Sequence, residues 1–177
     1  IKEKLGKGYK YYGEQAPAYT HIDGAKDTSL RPMLLTAGTE LDLEPLVKDD
    51  GWAAQQKLNG KRILVKINNG SVVSANRRGL ECPIPQAVVD TLSDVGTMFA
   101  VLDGEIVADT YHIFDILNIS GKNCMNSPLS ERNKTLIAFC DLIKSSNIKI
   151  VPLITGEKNK KNLVNELRSR KREGVVF

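Results

Sequence analysis

The sequence predicts an α+β fold with largely antiparallel sheets and packed helices. Asn-Gly turns at Asn59-Gly60 and within Asn68 to Gly70 each separate two β-type segments, a strong short-range signal for a hairpin. The clearest helical spacing comes later, over residues 127–146. Hairpins that precede inserted helices favour α+β, because parallel strands would need a crossover connection between each pair.

The first half of the chain begins with a connector and a short helix over residues 31–51, which we expect to end at Gly51. Two strands then flank the first Asn-Gly turn, a third strand follows the second turn, and a helix with prolines at its start comes next. Their ranges are 52–58, 62–67, 71–77 and 83–95.

The second half contains two more strands, a long helix, a strand, a basic helix and a final strand. Their ranges are 98–109, 110–117, 127–146, 147–154, 158–172 and 173–177. Ser127 or Ser130 is expected to cap the long helix. Its predicted apolar stripe consists of Leu136, Ile137, Cys140 and Ile143. In the basic helix, a solvated face is expected to carry Lys158, Lys160 and Lys161.

Composition restricts the class of protein. The 177 residues suffice for one domain with a core, and 41% hydrophobic with 26% charged residues is typical of a soluble globular protein. No apolar run approaches the ~18 residues of a membrane span. Three cysteines without CxxC spacing and no visible secretory signal favour a cytoplasmic or nuclear protein, not a secreted one. The net charge of +4 permits a polyanionic partner.

Several common catalytic motifs do not occur in the sequence. It contains no GxxxxGK[ST] loop, no GxGxxG and no GxSxG turn. With two histidines in the chain, a Ser-His-Asp triad or a multi-histidine metal site is improbable. Any nucleotide chemistry would therefore need other residues.

Residues 1–30 read as a basic and aromatic N-terminal extension ahead of a domain at 31–177. Its lysines and tyrosines interleave over the first twelve positions. Such a pattern can track phosphates and stack bases, and it is equally consistent with a solvated arm docked on the domain.

Four short strings follow one another along the chain. They are KLNGKR at 57–62, NRRG at 76–79, LDGEIV with HIFDIL at 102–107 and 112–117, and EGVV at 173–176. Their order and residue types resemble the adenylylation (nucleotidyltransferase) domain of ATP-dependent DNA ligases, in the covalent nucleotidyltransferase superfamily. The resemblance extends from about Arg31 to Phe177 and implies an ATP-grasp-like nucleotidyltransferase domain.

The resemblance makes Lys57 the catalytic residue, whose amine attacks the α-phosphate of ATP and expels pyrophosphate. The amine must be neutral to attack, whereas a free lysine has a pKa of roughly 10.4. Partial burial and nearby cations, among them Lys61, Arg62 and a bound metal, favour the neutral form. The family commonly has Asp where this chain has Asn59. Gly60 leaves room for close backbone approach.

The resemblance also implies contacts to ATP or AMP. Gln55, or alternatively Gln56, reads adenine, while Phe114 stacks on it. The ribose and phosphates are contacted by Arg62, Arg77 and Glu105. A weaker expectation is that Arg77 and Arg78 contact nucleic-acid phosphate, since a guanidinium can bind phosphate bidentately.

Carboxylates are the implied metal ligands. Glu105 and Glu173 would bind Mg²⁺ or another divalent cation, while Asp103 organises the site. Strict alternation puts Asp103 and Glu105 on one face of their strand. In the next strand it separates two sets of side chains. These are His112, Phe114 and Ile116 on one face, and Ile113, Asp115 and Leu117 on the other.

The implied function is formation of lysine-AMP from ATP, transfer of AMP to a 5′-phosphate, and sealing of a nick in duplex DNA. In the family, a Lys-x-Lys strand and an OB-fold domain follow, and this chain stops at Phe177 before both. We therefore expect a truncated domain with weak ATP binding, acting as a monomer and away from membranes. Alternatives are an RNA ligase, a capping guanylyltransferase or, in another class, a non-catalytic nucleic-acid-binding module.

Overall fold

The computed structural model describes residues 24–177 and has the predicted α+β class, with antiparallel and mixed sheets. Its helices are α1 (Glu40–Lys48), α2 (Gln86–Ser93), α3 (Leu129–Leu142) and α4 (Glu157–Ser169). Its strands are β1 (Gln55–Lys57), β2 (Lys61–Asn68), β3 (Ser71–Asn76), β4 (Phe99–Val107), β5 (Thr110–Ile119), β6 (Lys122–Asn123), β7 (Ile148–Ile150) and β8 (Gly174–Val176). None of the helices described is long and apolar enough to cross a membrane.

The main sheet has the strand order β3-β2-β4-β5-β6, with β7 added parallel to β5. All its other pairings are antiparallel. Helices α2 and α3 cover this sheet, and the core lies between them and the strands. The core side chains include Val65, Ile67, Val88, Leu92, Leu102, Ile113, Leu136 and Phe139.

The second Asn-Gly turn forms a hairpin as predicted. Asn68 pairs with Ser71, so Asn69 and Gly70 form a two-residue loop between β2 and β3. Their φ angles are 49° and 75°, the positive values that a type I′ turn requires at both positions. The sequence signal and the backbone geometry therefore agree here.

The predicted hairpin at Asn59-Gly60 is wrong. Strand β1 does not pair with β2 but with β8, forming a separate two-stranded antiparallel sheet in which Gln56 is opposite Val175. Neither Asn59 nor Gly60 takes a positive φ, so the segment is an open connection rather than a type I′ turn. Pairing with β8, which begins at Gly174 near the end of the chain, replaced the local pairing that the sequence pattern favoured.

Strict alternation along β5 is also wrong, because the β4–β5 ladder is irregular at two places. Asp103 is opposite Asp115, but Gly104 is opposite Ile113, which leaves Phe114 as an extra residue in a β-bulge. A second bulge lies between Val101 and Leu102. Ile113 and Ile116, predicted on opposite faces, are consequently both in the core.

Helix α3 is shorter than predicted and differs in two details. Pro128 is its N-cap residue, and neither Ser127 nor Ser130 caps it through a side chain. Ile137 is 41% exposed, whereas Phe139 is buried. Helix α1 ends at Lys48 rather than at Gly51.

Lys160 of helix α4 contradicts the predicted solvated face, because its side chain is completely buried. Lys158 and Lys161 are exposed, as expected. The buried face of α4 consists of Lys160, Val164 and Leu167, spaced like an apolar stripe with a lysine in its first position.

Residues 24–30, part of the predicted extension, pack against the turn after β3. The backbone N–H of Thr28 donates to the Gly79 carbonyl at 2.9 Å, and Glu81 donates to Lys26 at 2.8 Å. The lysines and tyrosines of the first twelve positions lie outside the described residues.

Candidate active site

Lys57 lies at the end of β1, where the small sheet brings it against the start of β8. It is paired with Gly174, and its Nζ donates a hydrogen bond to the carboxylate of Glu173. The Lys57 side chain is 42% exposed, while that of Glu173 is 19% exposed. The amine is therefore held by a carboxylate yet remains accessible to a ligand.

Gly60 fixes the connection between Lys57 and β2 against strand β4. A Cβ built on Gly60 would lie 2.2 Å from the Ile106 carbonyl oxygen, so no other residue fits without moving the backbone. The Gly60 N–H also donates to Glu105 Oε1 at 2.6 Å. The predicted close approach at Gly60 is thus made by β4, and Glu105 accepts from the segment that carries the lysine.

Arg62 and Asp103 form a bidentate pair beside this segment. Nε of Arg62 donates to Oδ1 at 3.0 Å, and Nη2 donates to Oδ2 at 2.8 Å. The guanidinium carbon lies 5.3 Å from the centre of the Phe114 ring, within range of a cation–π contact. The β-bulge therefore presents Phe114 next to a fixed arginine.

Gly104 between the two carboxylates is required by packing behind the sheet. A Cβ at this position would lie 2.5 Å from the His112 carbonyl oxygen and 2.6 Å from the Tyr111 ring. The Tyr111 hydroxyl, buried under β4, donates to the Ile63 carbonyl at 3.0 Å. Burial raises the pKa of Tyr111 well above its ordinary value, so the hydroxyl remains a donor.

Burial is the largest influence on the pKa of both acidic side chains of β4, Asp103 and Glu105. It raises the pKa of Glu105, a shift reinforced by the charge of Glu173 and opposed by the Gly60 hydrogen bond and the charge of Lys57. Burial likewise raises the pKa of Asp103, against the opposing pull of the Arg62 guanidinium. Lys57, Glu105 and Glu173 are thus close enough to influence one another electrostatically.

Gln55 and the two arginines of NRRG occupy different surroundings. The Gln55 amide donates to the Val151 carbonyl at 3.1 Å, which anchors β1 to the segment after β7. Arg77 and Arg78 are exposed in the turn that follows β3, where the Arg78 N–H donates to Asn76 Oδ1. The role of Arg77 stays a prediction.

The implied metal ion has two candidate ligands in this chain. Glu105 and Glu173 supply hard carboxylate oxygens, and Mg²⁺ usually keeps several waters besides one or two carboxylates. Among residues 24–177 no group of three or more acidic, histidine or cysteine side chains could hold a metal. The donor set fits a weakly held, largely hydrated cation that shares ligands with a nucleotide.

Two basic side chains make contacts that were not predicted from the sequence. Arg132 of α3 forms a bidentate pair with Asp115 at 2.8 and 2.9 Å and also donates to the Ser127 carbonyl. Lys160 donates to three carbonyls ahead of β1. The sequence feature that could have pointed to Arg132 was the acidic Asp115 within HIFDIL, which needs a partner if it is buried. For Lys160 it was only the i, i+4, i+7 spacing with Val164 and Leu167.

The chain is similar to known proteins in both sequence and fold. No protein-family model matches the chain. It is 28% identical to the multifunctional non-homologous end joining protein LigD of Mycobacterium bovis, over 73% of this chain and 19% of that protein. LigD of Mycobacterium tuberculosis gives the same values. The chain thus spans about a fifth of the length of these relatives.

The crystal structure of the ligase domain of M. tuberculosis LigD superposes with a TM-score of 0.67 at 25% identity, covering 85% of this chain and 53% of that domain. This chain has the nucleotidyltransferase fold of ATP-dependent DNA ligases. A mycobacterial DNA ligase D complexed with ATP and MES gives the same TM-score at 24% identity. In this fold KLNGKR contacts EGVV through Lys57 and Glu173, and it contacts LDGEIV through Gly60 and Glu105. It also contacts HIFDIL, through Arg62 and Phe114.

Proposed function

We propose that this chain is the adenylylation domain of an ATP-dependent DNA ligase, with Lys57 as the residue that receives AMP. The observation that carries the proposal is the contact between the Lys57 amine and the Glu173 carboxylate across β1 and β8. These residues are far apart in sequence, and neither strand has another pairing partner in the part of the chain that the structure describes. The fold thus brings together an accessible amine and a carboxylate suited to a metal.

The first step is attack by neutral Lys57 Nζ on the α-phosphorus of ATP. An N–P bond forms, the bond from that phosphorus to the bridging oxygen breaks, pyrophosphate leaves, and the attacking nitrogen loses one proton to solvent. The chain's contribution is to position the amine and neutralise charge on the phosphates. Glu105 and Glu173 would hold the Mg²⁺ that screens the phosphates, and Arg62 supplies a fixed positive charge beside them.

Adenine recognition is assigned to Phe114 and Gln55. A flat ring beside a base contributes roughly 1–3 kcal/mol by stacking in single-strand binders. The bulge at Phe114 and the adjacent Arg62 guanidinium orient this ring. Gln55 donates one amide hydrogen to Val151, so its carbonyl oxygen can accept from the adenine amino group and its second N–H can donate to a ring nitrogen.

The later steps complete ligation. An oxygen of a 5′-phosphate attacks the phosphorus of lysine-AMP and releases Lys57. A 3′-hydroxyl then attacks the activated 5′-phosphate, AMP leaves, and the nick is sealed. Arg77 and Arg78 would contact the nucleic-acid backbone, and nicked duplex DNA is the proposed substrate. The similar proteins include LigD of non-homologous end joining and a DNA ligase D complexed with ATP. Their names favour DNA as the substrate and ATP as the nucleotide.

The test is covalent labelling of the full-length protein with ATP carrying a labelled α-phosphate. The wild-type protein should acquire an acid-labile, alkali-stable label, as expected for a phosphoramidate, and Lys57→Ala should acquire none. Lys134→Ala, on the exposed surface of α3, is the matched lysine control and should label normally. Equal labelling of Lys57→Ala and the wild type would eliminate the assignment.

The substrate is tested by giving the labelled protein nicked duplex DNA or nicked RNA. Release of AMP and sealing on DNA alone would support the proposal, whereas sealing on RNA alone would make the protein an RNA ligase. Labelling by GTP instead of ATP would indicate a capping-type enzyme. A non-catalytic module would bind DNA in a salt-sensitive manner that neither ATP nor Lys57→Ala alters.

A further inference from the structure

Lys160 is a fully buried lysine that the proposed chemistry does not use. Its ammonium group donates to three backbone carbonyls, those of Leu46 at 3.1 Å, Asp49 at 2.6 Å and Trp52 at 2.9 Å. An ammonium has three protons, so each of them has an acceptor. A buried charge is costly unless it is hydrogen-bonded in this manner.

The three carbonyls belong to one short stretch of chain, the exit from helix α1 toward strand β1. The last carbonyls of a helix have no partner inside it, and the helix dipole places negative charge at that end. Leu46 is in the last turn of α1, while Asp49 and Trp52 follow it. The Asp49 carbonyl also accepts from the Trp52 N–H at 3.1 Å, so the ammonium of Lys160 adds to a turn that is already hydrogen-bonded and supplies a positive charge at the helix end.

The same helix that carries Lys160 also leads to Glu173. Helix α4 ends in a Schellman turn, in which Arg172 donates to Leu167 and Lys171 donates to Arg168, and β8 begins directly afterwards. Strand β8 pairs with β1 alone among the described strands. Helix α4 thus contacts the segment that enters β1 through Lys160, and β8 after its end pairs with β1 itself. Between Trp52 and β1, Ala54 exchanges two backbone hydrogen bonds of 2.8 Å with Ile154, which is a second anchor of the same segment.

We infer that Lys160 is a positioning residue for adenylylation: it fixes the start of β1 on α4 and so holds Lys57 opposite Glu173. The two-stranded sheet is only three residues long on each side. A sheet of that size is marginal alone, so its alignment depends on what fixes its ends. The catalytic consequence rests on the proposed function, while the effect on β1 and β8 does not.

The first experiment measures amide hydrogen exchange in the full-length protein without ATP. Lys160→Met keeps the length and helix propensity of the side chain but removes all three donors. We expect exchange of β1 and β8 amides to accelerate at least about tenfold, with the main-sheet amides of β2 and β4 unchanged. Leu136→Ala, in the core under α3, is the control for a general loss of stability.

The outcomes of this experiment distinguish a specific role of Lys160 in fixing β1 and β8 from a general contribution to stability. If β1 and β8 exchange no faster than in Leu136→Ala at matched global stability, Lys160 has no special hold on them and the inference is wrong. Lys160→Gln, which keeps two donors without the charge, provides the same comparison if the Met variant does not fold.

The second experiment measures lysine-AMP formation. Lys160→Met should lower the rate at saturating ATP by about 100-fold, since a misplacement near 1 Å has effects of that size, and should change the KM for ATP less than about threefold. The reason for this split is that two of the proposed nucleotide contacts, Arg62 and Phe114, lie on the main sheet and are not attached to Lys160. The third, Gln55, lies on β1 but has its own anchor in the hydrogen bond to the Val151 carbonyl. A loss that appears only in KM would overturn the positioning role.

Chemical rescue provides the sharpest control. Lys160→Ala leaves a cavity lined by three carbonyls, which propylammonium in the buffer can enter. The added amine should restore labelling of this variant in a saturable manner and leave the wild type and Leu136→Ala unaffected. Absence of rescue together with unaltered exchange of β1 and β8 would refute the inference. If the wild-type protein itself acquires no label, the proposed function fails, while the exchange data still decide the role of Lys160.

Discussion

Gly60→Ala is the substitution for which the structure gives the most direct expectation. The new Cβ would lie 2.2 Å from the Ile106 carbonyl oxygen, 2.9 Å from Val107 Cγ2 and 3.0 Å from Glu105 Cγ. Ile106 is paired with Lys61 within the β2–β4 ladder, so its carbonyl cannot swing aside. The backbone at Gly60 must instead move outward by about 1 Å before ordinary contact is reached.

This movement affects both stability and chemistry. Forcing a methyl group into an occupied space costs about 1–3 kcal/mol. It also lengthens the 2.6 Å hydrogen bond from Gly60 to the Glu105 carboxylate, a charged type worth about 1.5–3 kcal/mol and less here because Gly60 is exposed. We expect a loss of about 2–4 kcal/mol in the free energy of unfolding. A shift of this size close to Lys57 should slow lysine-AMP formation about 100-fold.

The measurements are urea denaturation and single-turnover labelling at saturating ATP. Gly38→Ala is the matched control, because the nearest atom to its Cβ is Asp42 Oδ2 at 3.6 Å, an ordinary contact. That control should change neither quantity. The reasoning is refuted if Gly60→Ala unfolds and labels like the wild type, since the β4 carbonyl would then not constrain the segment.

Three further predictions concern other parts of the domain. Lys171 has a φ of 51° in the Schellman turn, a left-handed conformation that glycine adopts without the cost of a Cβ. Lys171→Gly should therefore raise the free energy of unfolding, measured by denaturation, by about 1 kcal/mol. A variant of equal or lower stability would contradict this prediction. Arg132→Met should lower the free energy of unfolding by about 3 kcal/mol, because it leaves the Asp115 carboxylate, 13% exposed, without its cation. Arg168→Met, which breaks an exposed pair, should cost less than about 1 kcal/mol, and equal losses would count against burial as the cause. Burial lowers the pKa of His112 from 6.5, so the unfolded chain binds the proton more tightly and stability is lost as the pH falls through 6.5. In denaturation measured between about pH 7.5 and 5.5, His112→Gln should lose less stability than the wild type. An unchanged dependence on pH would contradict this prediction.

The secondary-structure order could be predicted well from local patterns. The Asn69-Gly70 hairpin, the helix around Leu136 and the α+β class all follow from signals within a few residues, since turn propensity and helical spacing are local properties. The same local signal failed at Asn59-Gly60. Its turn propensity was outweighed by pairing of β1 with a distant strand, which no local pattern encodes.

The candidate site divides in the same way. The residue types and order of the four strings predicted Lys57, Arg62, Phe114 and Glu173 as site residues through their resemblance to the DNA ligase family, and these roles stay predictions. The pairing of Arg62 with Asp103, and of Glu105 with the Gly60 N–H, could not be predicted. Those contacts depend on register across strands, and a single bulge changes which side chains meet.

The sequence by itself therefore determined the class of fold, the order of its elements and the set of chemically competent residues, because these depend on residue type and short-range spacing. Only the tertiary structure decided which strand pairs with the strand of Lys57, that Phe114 lies in a bulge, and that Lys160 is buried rather than solvated. A lysine on a helix gives no sign of its acceptors when they are backbone carbonyls more than a hundred positions away, since every residue has such a carbonyl and only packing selects three of them.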